Sequence, residues 1–321
     1  MARTVIAKRL PVTARVPNHR KLNYSMLNNK SLPLLCAIQI TLLASCDGNV
    51  PSAQEHQQAL DLGSDQNLSL TNEEHLSLIW IDTLDIWVGE TEITLGQLKA
   101  ISKEVNGKHD NYSARYIGRE DDLNIYPAVM ISWGLAKDTC ELLNRKYENL
   151  LPEGYIFRLP FENEWEKFAR CGEDWLYPWG NAWPPGKMAN GVLPNLQGVE
   201  QIEINATNSK PLSKHRLISG YEDGWPSVAP TYKTGINPWG LYGIGGNVSE
   251  WSESWYDKNA GLRLLKGAFA FTNLPSECEI SSRSAIKGQS PVKGFFFWGT
   301  IRNQGNIGTG FRVVIGPKTG S

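Results

Sequence analysis

The amino-acid sequence predicts an α+β domain of irregular architecture, with few helices, short strands and long loops, over about residues 75–318. Alternating apolar positions indicate short strands, as in the segment 78–81, Leu-Ile-Trp-Ile. All twelve tryptophans lie at or beyond Trp80, and the 41% of hydrophobic residues suffices for a large core. From residue 171 onward, stretches with Gly, Pro, Asn and Trp replace the helical pattern. We therefore expect aromatic packing and loop hydrogen bonds to hold this domain together.

Helical periodicity is limited to three stretches, over about residues 94–104, 132–147 and 162–170. Thr94 and Ser132 are suitable N-caps, because their hydroxyl groups can accept a hydrogen bond from a backbone N–H of the first turn. The second stretch carries an apolar face made of Leu135, Ala136, Cys140 and Leu143.

The first 45 residues have the composition of a targeting segment. Residues 1–46 contain seven Lys and Arg and no Asp or Glu. The apolar run 31–45 is too short to span a bilayer, which takes about 20 apolar residues, so we interpret residues 1–45 as a signal peptide. Met26 offers a second start, in which case residues 1–25 are an extension of the reading frame.

Leu43-Ala44-Ser45-Cys46 ends this segment and resembles the lipobox of bacterial lipoproteins. The resemblance implies cleavage before Cys46, lipidation of that cysteine, and a membrane anchor through the lipid. Asp47 then favours the periplasmic face of the inner membrane of the cell envelope. An ordinary signal peptide or a short buried segment is the alternative. Residues 46–74 are polar, so beyond the lipidated cysteine we expect a tether, with a folded segment as the alternative.

The net charge of the chain without its leader indicates which class of partner the protein binds. Removing the seven basic residues of the leader from the 32 Lys and Arg leaves 25 against 33 Asp and Glu, a net charge of about −8. Nucleic acid is therefore not an expected partner. Of five cysteines, Cys140, Cys171 and Cys278 would remain in the mature domain, and three thiols allow one disulfide at most.

Four blocks, in order along the chain, resemble the formylglycine-generating enzyme (sulfatase-modifying factor) family. They are 89–94 (Gly-Glu-Thr-Glu-Ile-Thr), 126–133 with 158–166 (Arg-Leu-Pro-Phe-Glu-Asn-Glu-Trp-Glu), 177–180 (Tyr-Pro-Trp-Gly), and 237–242 with 246–251 (Gly-Asn-Val-Ser-Glu-Trp). A closing Gly310-Phe311-Arg312 matches the end of the family's pattern. The resemblance implies the family's irregular α+β fold, which is related to C-type lectin-like domains. It also puts Phe161 where the family has a capping Thr, and Val313 where Cys140 would find a disulfide partner.

The resemblance further implies structural calcium, a hard cation that takes six to eight oxygen ligands. One site would use the side chains of Asn190 and Asp223 with the carbonyl groups of Gly191 and Trp225. An ordinary Asx-turn is the alternative interpretation of this segment.

A second calcium site would use the carbonyl groups of Gly246 and Val248 and the side chain of Glu250. The family has an Asp or Asn at position 243, and this chain has Gly243, so the site would have fewer oxygens and less charge. Glu250 bonded to loop amides is the alternative.

The family's oxidases bind copper(I) through two cysteines about five residues apart, which act as soft thiolate ligands. In this chain the corresponding stretch, residues 270–280, contains one cysteine, Cys278, so a two-thiolate site cannot be built. The family's Arg-Gly-Gly-Ser is Lys-Gly-Ala-Phe at 266–269. The flanking Glu277 and Glu279 would raise the pKa of Cys278, which makes this sole candidate a poor nucleophile.

Iron is not expected either. Other branches of the superfamily are non-haem iron enzymes that use histidines, but His75, His109 and His215 show no ligand spacing. No Ser-His-Asp signature, phosphate-binding loop or dinucleotide fingerprint is present.

Three functions follow from this pattern. The first is an anchored binding or assembly protein that keeps the fold without the copper chemistry and contacts a protein or peptide partner in the envelope. Its surface would come from Trp175, Trp179, Trp183 and Trp298, for which core packing is the alternative. The second is a metal-dependent oxidase of a protein, peptide or small molecule that uses Cys278. The third is a carbohydrate-binding module, which rests on fold analogy alone.

Overall fold

The computed structural model describes residues 59–102, 122–199, 217–285 and 308–318. The predictions that concern the signal peptide, Cys46, His109, His215 and Trp298 lie outside these ranges. No helix of the described ranges is long and apolar enough to cross a membrane.

Short strands and few helices make up the described chain, which confirms the irregular α+β fold. The strands are β1 (Gln66–Ser69), β2 (His75–Ile81), β3 (Ile86–Gly89), β4 (Tyr155–Arg158), β5 (Ser249–Asp257), β6 (Leu262–Lys266), β7 (Thr309–Gly310) and β8 (Val314–Pro317). The helices are α1 (Leu95–Ile101), α2 (Trp133–Tyr147), α3 (Glu162–Arg170) and α4 (Pro275–Cys278), with single 3-10 turns at Leu123–Ile125 and Thr231–Lys233.

Two sheets organise these strands. The larger has the order β1-β2-β3-β8-β4, and every neighbouring pair in it is antiparallel. The smaller has the order β6-β5-β7, in which β5 and β7 are parallel. Strand β8 therefore comes last in the larger sheet's sequence order but lies between β3 and β4.

The N-terminal boundary of the domain lies earlier than the predicted residue 75. Strand β1 pairs with β2 from Gln66 opposite Leu78 to Ser69 opposite His75. Leu60, Leu68 and Leu70 are buried in the main hydrophobic core. The predicted tether of residues 46–74 is therefore wrong for residues 59–74, because their apolar side chains pack and their backbone completes a sheet edge.

The helix starts follow the predicted caps. The Thr94 hydroxyl accepts a hydrogen bond from Gln97 N at 3.0 Å, and the Gln97 side chain accepts one from Thr94 N at 3.0 Å, a reciprocal capping box. The Ser132 hydroxyl likewise accepts from Leu135 N at 3.1 Å. Helix α1 ends at Ile101 rather than near Glu104, because the backbone of the next residue is extended.

Helix α3 begins without a side-chain cap, as predicted from Phe161. The backbone N–H of Phe161 instead donates to Glu164 Oε2 at 2.8 Å. The same carboxylate forms a buried ion pair with Arg158, with both contacts at 2.7 Å. The acidic first turn of α3 thus has a structural role, in which Glu164 satisfies a backbone donor and an interior cation together.

Cys140 is a buried free thiol, as the sequence predicted. It packs in the main core together with Val313, the residue that stands where the resemblance would place a disulfide partner. This core also contains the buried rings of Trp87, Phe157 and Trp251. Both residues thus belong to the same apolar core, in which Cys140 has no disulfide partner.

Candidate functional site

Cys278 lies at the end of α4 and is 4% exposed. It packs into a group of side chains that we call the Cys278 cluster. The buried members besides Cys278 are Tyr177, Leu196, Ile218, Tyr221 and Ala268, and the partly buried members are Trp179, Trp183 and Leu193. The short helix α4 was not predicted, because a single turn opened by Pro275 leaves no periodic pattern. The thiol therefore faces an apolar interior.

Electrostatics keep this thiol protonated. Burial, and to a smaller extent the nearby Glu277 carboxylate, raise the pKa of Cys278 to about 12. Burial likewise raises the pKa values of Cys140 and Cys171 to about 12. The predicted direction is confirmed for Cys278, although burial rather than the flanking charge is the larger cause. A thiol that stays protonated is neither a good nucleophile nor a good metal ligand.

The segment 266–269, Lys-Gly-Ala-Phe, fills space beside this thiol. The Lys266 ammonium is fully buried and donates to Glu166 at 2.8 Å and to the Ser282 carbonyl at 2.9 Å. Ala268 packs in the Cys278 cluster. The ring of Phe269 lies so close to Gly308 that a Cβ there would approach it to 2.3 Å. The substituted positions thus serve packing and a buried ion pair.

A two-thiolate copper centre does not fit the residues present. Cys278 is the single cysteine after Cys171. Cys171 lies at the C-terminal end of α3 and its Sγ contacts the Phe168 carbonyl at 3.4 Å. Within the four described ranges, no three His, Cys, Asp or Glu side chains lie together in a way that could hold a metal.

Aromatic rings beside Cys278 reach the surface. The rings of Tyr177 and Trp179 stack with centroids 5.0 Å apart and planes 7° from parallel, and Trp183 lies 5.9 Å from Tyr177. Leu176, next to Tyr177 in sequence, and Leu274, just before α4, are 41% and 50% exposed. The half-buried indoles and the exposed leucines form what we call the aromatic platform.

Trp175 does not belong to this platform. It packs against the hydrophobic cluster that contains Trp165 and Phe168, so core packing is the correct interpretation for this tryptophan.

The residues of the first predicted calcium site lie in two loops. The side-chain oxygen of Asn190 accepts from Val192 N at 3.2 Å and Ile236 N at 3.3 Å, and its amide donates to Thr234. The carboxylate of Asp223 accepts from Trp225 N at 2.8 Å and from Leu196 N at 2.9 Å. The contact between Asp223 and Trp225 N is that of an Asx-turn, the alternative that the sequence left open. Gly191 and Asn190 are exposed.

Glu250, the carboxylate of the second predicted calcium site, is paired with a guanidinium. Glu250 is 1% exposed, and Arg312 donates to it from Nη2 at 2.9 Å. The indole of Trp165 donates to the other side of the same carboxylate at 3.0 Å. Gly246 and Val248 lie just before β5 and are buried. The charge of Glu250 is thus compensated by a guanidinium rather than offered to a cation.

Sequence reasoning missed two features. The first is Glu92, a completely buried carboxylate between β3 and α1. Burial raises its pKa to about 7, against the opposing effect of the nearby Arg312. The family block 89–94 contains Glu92, but its burial depends on segments that are distant in sequence, so no local signal could have revealed it.

The second missed feature is a basic groove of about 660 Å³. Its cationic side chains are Lys137, Arg158, Arg263 and Lys318. The guanidinium of Arg263 lies between two rings, 3.8 Å from the centroid of Trp133 and 3.4 Å from that of Trp255. Lys137 is paired with Glu253 at 2.6 Å. These groups come from α2, β4, β5, β6 and the segment after β8, so only the fold brings them together.

These features define the class of the protein. It is an irregular α+β domain that has one buried thiol, Cys278, in place of a cysteine pair. Residues 60–297 match the family described as the sulfatase-modifying factor enzyme 1-like domain. The chain belongs to this family.

Individual relatives agree with the assignment. The chain is 32% identical over 148 residues to the inactive C-alpha-formylglycine-generating enzyme 2 of Bos taurus, which covers 44% of this chain and 38% of that protein. It is 35% identical over 101 residues to the formylglycine-generating enzyme of Thermomonospora curvata, 31% of this chain and 27% of that protein. These matches span less than two fifths of either relative.

Among solved structures, Treponema denticola variable protein 1 aligns with a TM-score of 0.49 and 18% identity. The alignment covers 79% of this chain and 99% of that one.

Proposed function

We propose that this protein is an envelope-anchored member of the sulfatase-modifying factor family that acts by binding or assembly and lacks the copper oxidase chemistry of catalytic members. The observation that carries the proposal is Cys278. It is the single thiol in the stretch 270–280, it is buried among aromatic rings, and burial raises its pKa to about 12. A relative named as an inactive formylglycine-generating enzyme is consistent with a member of the family that lacks the oxidase activity.

The chemical part of the proposal is tested by metal analysis and oxygen uptake. Purified protein should contain neither copper nor iron in stoichiometric amount, and a cysteine peptide with added copper should consume no more oxygen than it does without the protein. Cys278→Ala should behave the same. Metal-dependent oxygen uptake that disappears in Cys278→Ala would instead establish an oxidase of a protein, peptide or small molecule.

The anchoring part rests on the sequence Leu-Ala-Ser-Cys at 43–46 and the basic leader before it. Lipid on Cys46 would hold the domain at the envelope, on the periplasmic face of the inner membrane. Cells fed a labelled fatty acid should label the protein, and Cys46→Ala should lose both the label and the membrane fractionation. Cys36→Ala is the matched control, because that cysteine would leave with the signal peptide. Equal labelling of Cys46→Ala would refute the anchor.

The binding part is supported by the aromatic platform. Two half-buried indoles and two exposed leucines give a contact surface with little side-chain freedom to lose, which suits a protein or peptide partner. Trp179→Ala and Leu274→Ala should each weaken capture of the envelope partner. Leu62→Ala is the matched control, because Leu62 is also 50% exposed but precedes β1. Equal loss in all three variants, or in none, argues against the platform.

Calcium is proposed as a structural cofactor. The first predicted site, built on Asn190, Gly191, Asp223 and Trp225, would serve only to fix two loops. Its side chains already satisfy backbone donors, so occupancy would require them to exchange those bonds for a cation. Calcium added after chelator treatment should raise the unfolding temperature of the wild-type protein, and Asp223→Asn should lose that response; equal responses of the two would contradict this site.

A further inference from the structure

The basic groove carries a charge opposite to that of the chain around it. Its charged lining consists of one carboxylate and four cations, namely Glu253, Lys137, Arg158, Arg263 and Lys318. When Glu164, the buried partner of Arg158, is also counted, four positive charges against two negative ones leave a net charge of +2. The chain beyond the leader has a net charge of about −8. The groove is therefore a local positive site on an acidic protein, and such a site attracts anionic ligands.

Arg158 forms the inner wall of the groove rather than a binding contact. Its side chain is 2% exposed, and its two terminal nitrogens donate to Glu164 at 2.7 Å. Its Nε donates to the Pro317 carbonyl at 3.0 Å. Lys137 and Lys318 are more accessible, since the side chain of Lys137 is 24% exposed and Lys318 is exposed. A ligand would therefore meet these two lysines and not Arg158.

The guanidinium of Arg263 is held in position by its neighbours. Its Cζ lies 3.8 Å from the centroid of Trp133 and 3.4 Å from that of Trp255, and its Nη1 donates to the Glu253 carbonyl at 2.8 Å. The Trp133 ring is itself fixed, because its indole N–H donates to the Ser252 carbonyl at 3.1 Å. A planar guanidinium that is already oriented loses little side-chain freedom when it binds a carboxylate.

The partial burial of Arg263 also favours an anionic ligand. Burial lowers the pKa of Arg263, against the opposing effect of the nearby Glu253. The charged form of this side chain is thus less well solvated than it would be in water. A carboxylate in the groove would offset that loss of solvation.

Apolar side chains line the groove beside the cations. They are Ile156, Phe161 and Trp255. The volume of about 660 Å³ lies within the range of about 300–1,000 Å³ that is usual for ligand pockets. Inorganic phosphate would leave these apolar walls uncovered, and a membrane surface is too broad to enter a groove. A short peptide in which acidic and apolar side chains alternate contacts both kinds of lining.

We propose that the basic groove binds an acidic peptide segment of a partner protein, with a carboxylate of that segment on Arg263. Lys137 and Lys318 add charge attraction. The inference rests on the proposed function in binding or assembly, and it names the chemistry of the partner. The groove shares no lining residue with the aromatic platform, so each surface is tested by its own variants.

The test measures the binding of labelled peptides to the full-length protein by fluorescence anisotropy. The probes are short peptides with capped ends in which glutamate alternates with leucine, phenylalanine or alanine, and the control set has glutamine in place of glutamate. The best acidic peptide should bind at least about tenfold more tightly than its glutamine counterpart, a difference of roughly 1.4 kcal/mol. Added salt should weaken its binding. Equal affinity of the two sets, or no binding of either, overturns the proposal.

Substitutions of single cations locate the bound peptide. Arg263→Met should weaken the binding of the acidic peptide at least about tenfold, because the carboxylate loses its oriented guanidinium. Arg145→Met is the matched control, since Arg145 is exposed on α2 and does not line the groove. Equal loss in the two variants indicates general charge attraction and contradicts a site in the groove. If Arg263→Met does not fold, Lys318→Gln decides, and it should weaken binding about two- to fivefold, as for an exposed ion pair. Unchanged affinity of Lys318→Gln then refutes the assignment.

Two further measurements separate the groove from other sites and ligands. Trp179→Ala, which alters the aromatic platform, should bind the acidic peptide as tightly as the wild-type protein does. Loss of binding in that variant places the peptide on the platform and overturns the proposal. Inorganic phosphate and a soluble, short-chain phosphatidylglycerol are the competitors. Displacement by either at a lower concentration than the unlabelled acidic peptide requires assigns the groove to a phosphate group instead. Failure of the groove in these tests leaves the oxygen-uptake and partner-capture tests of the proposed function unaffected.

Discussion

Arg312, from the closing Gly-Phe-Arg, connects four segments through its guanidinium. It donates to Glu250, to the Gly89 carbonyl at 2.7 Å and to the Tyr242 carbonyl at 2.6 Å. Every one of these partners is at least 62 residues away in the sequence. A motif that identifies the family therefore acts as a structural clamp in the interior.

Arg312→Met should strongly destabilise the domain. The variant leaves Glu250 buried and without its cation, which costs about 3–5 kcal/mol of unfolding free energy. The double variant Arg312→Met with Glu250→Gln should recover part of that loss, because no buried charge remains unpaired. Urea unfolding of Arg312→Met, Glu250→Gln and the double variant measures the coupling. A single variant that loses less than about 1 kcal/mol shows that the pair is solvated.

Helix α1 illustrates how short elements depend on their ends. It has seven residues and relies on the capping box of Thr94 and Gln97 for its start. A helix of this length is not stable alone, so its cap and its buried face decide whether it forms.

Thr94→Ala should lower the unfolding free energy by about 1 kcal/mol, because the Gln97 N–H loses its acceptor. Thr83→Ala is the matched control, since Thr83 is exposed in the turn between β2 and β3. Thermal and urea unfolding of both variants give the comparison. Equal stability of the two variants would show that the hydroxyl cap contributes nothing.

Elements defined by local pattern were predictable, and those defined by distant partners were not. Helices α2 and α3 and strand β2 carry their own periodicity or caps. The sequence predicts a tether where β1 lies, because Leu68 within the strand and Leu70 just after it are surrounded by polar residues. At the site, the single Cys278 was visible from composition. The burial of Glu92 was not, because Asn247, its hydrogen-bond partner, lies 155 residues away in the sequence.

At the scale of the molecule, the folded domain begins earlier in the sequence than the position of the first tryptophan indicated. A chain that begins at residue 59 keeps β1 and the buried Leu60, Leu68 and Leu70. A chain that begins at residue 75 exposes the edge of β2 and the apolar surface that these leucines cover.

The chain that begins at residue 75 should therefore unfold at a clearly lower temperature than the chain that begins at residue 59. Losing one buried leucine costs about 2–5 kcal/mol, and three are removed together with a strand. Differential scanning calorimetry of the two chains decides the boundary. Equal unfolding temperatures would mean that residues 59–74 add nothing to the core.

Strand β8 determines how late in synthesis the larger sheet can be completed. It is the last strand in the described part of the chain, and β3 and β4 are joined in the sheet only through it. During synthesis β4 and the second edge of β3 have no partner until β8, more than 150 residues downstream, is made, and such long-range pairing is slow because a large loop must close first. The larger sheet is therefore completed only after β8 has emerged, and a chain cut short before Val314 leaves one edge of β3 open and β4 without its strand partner.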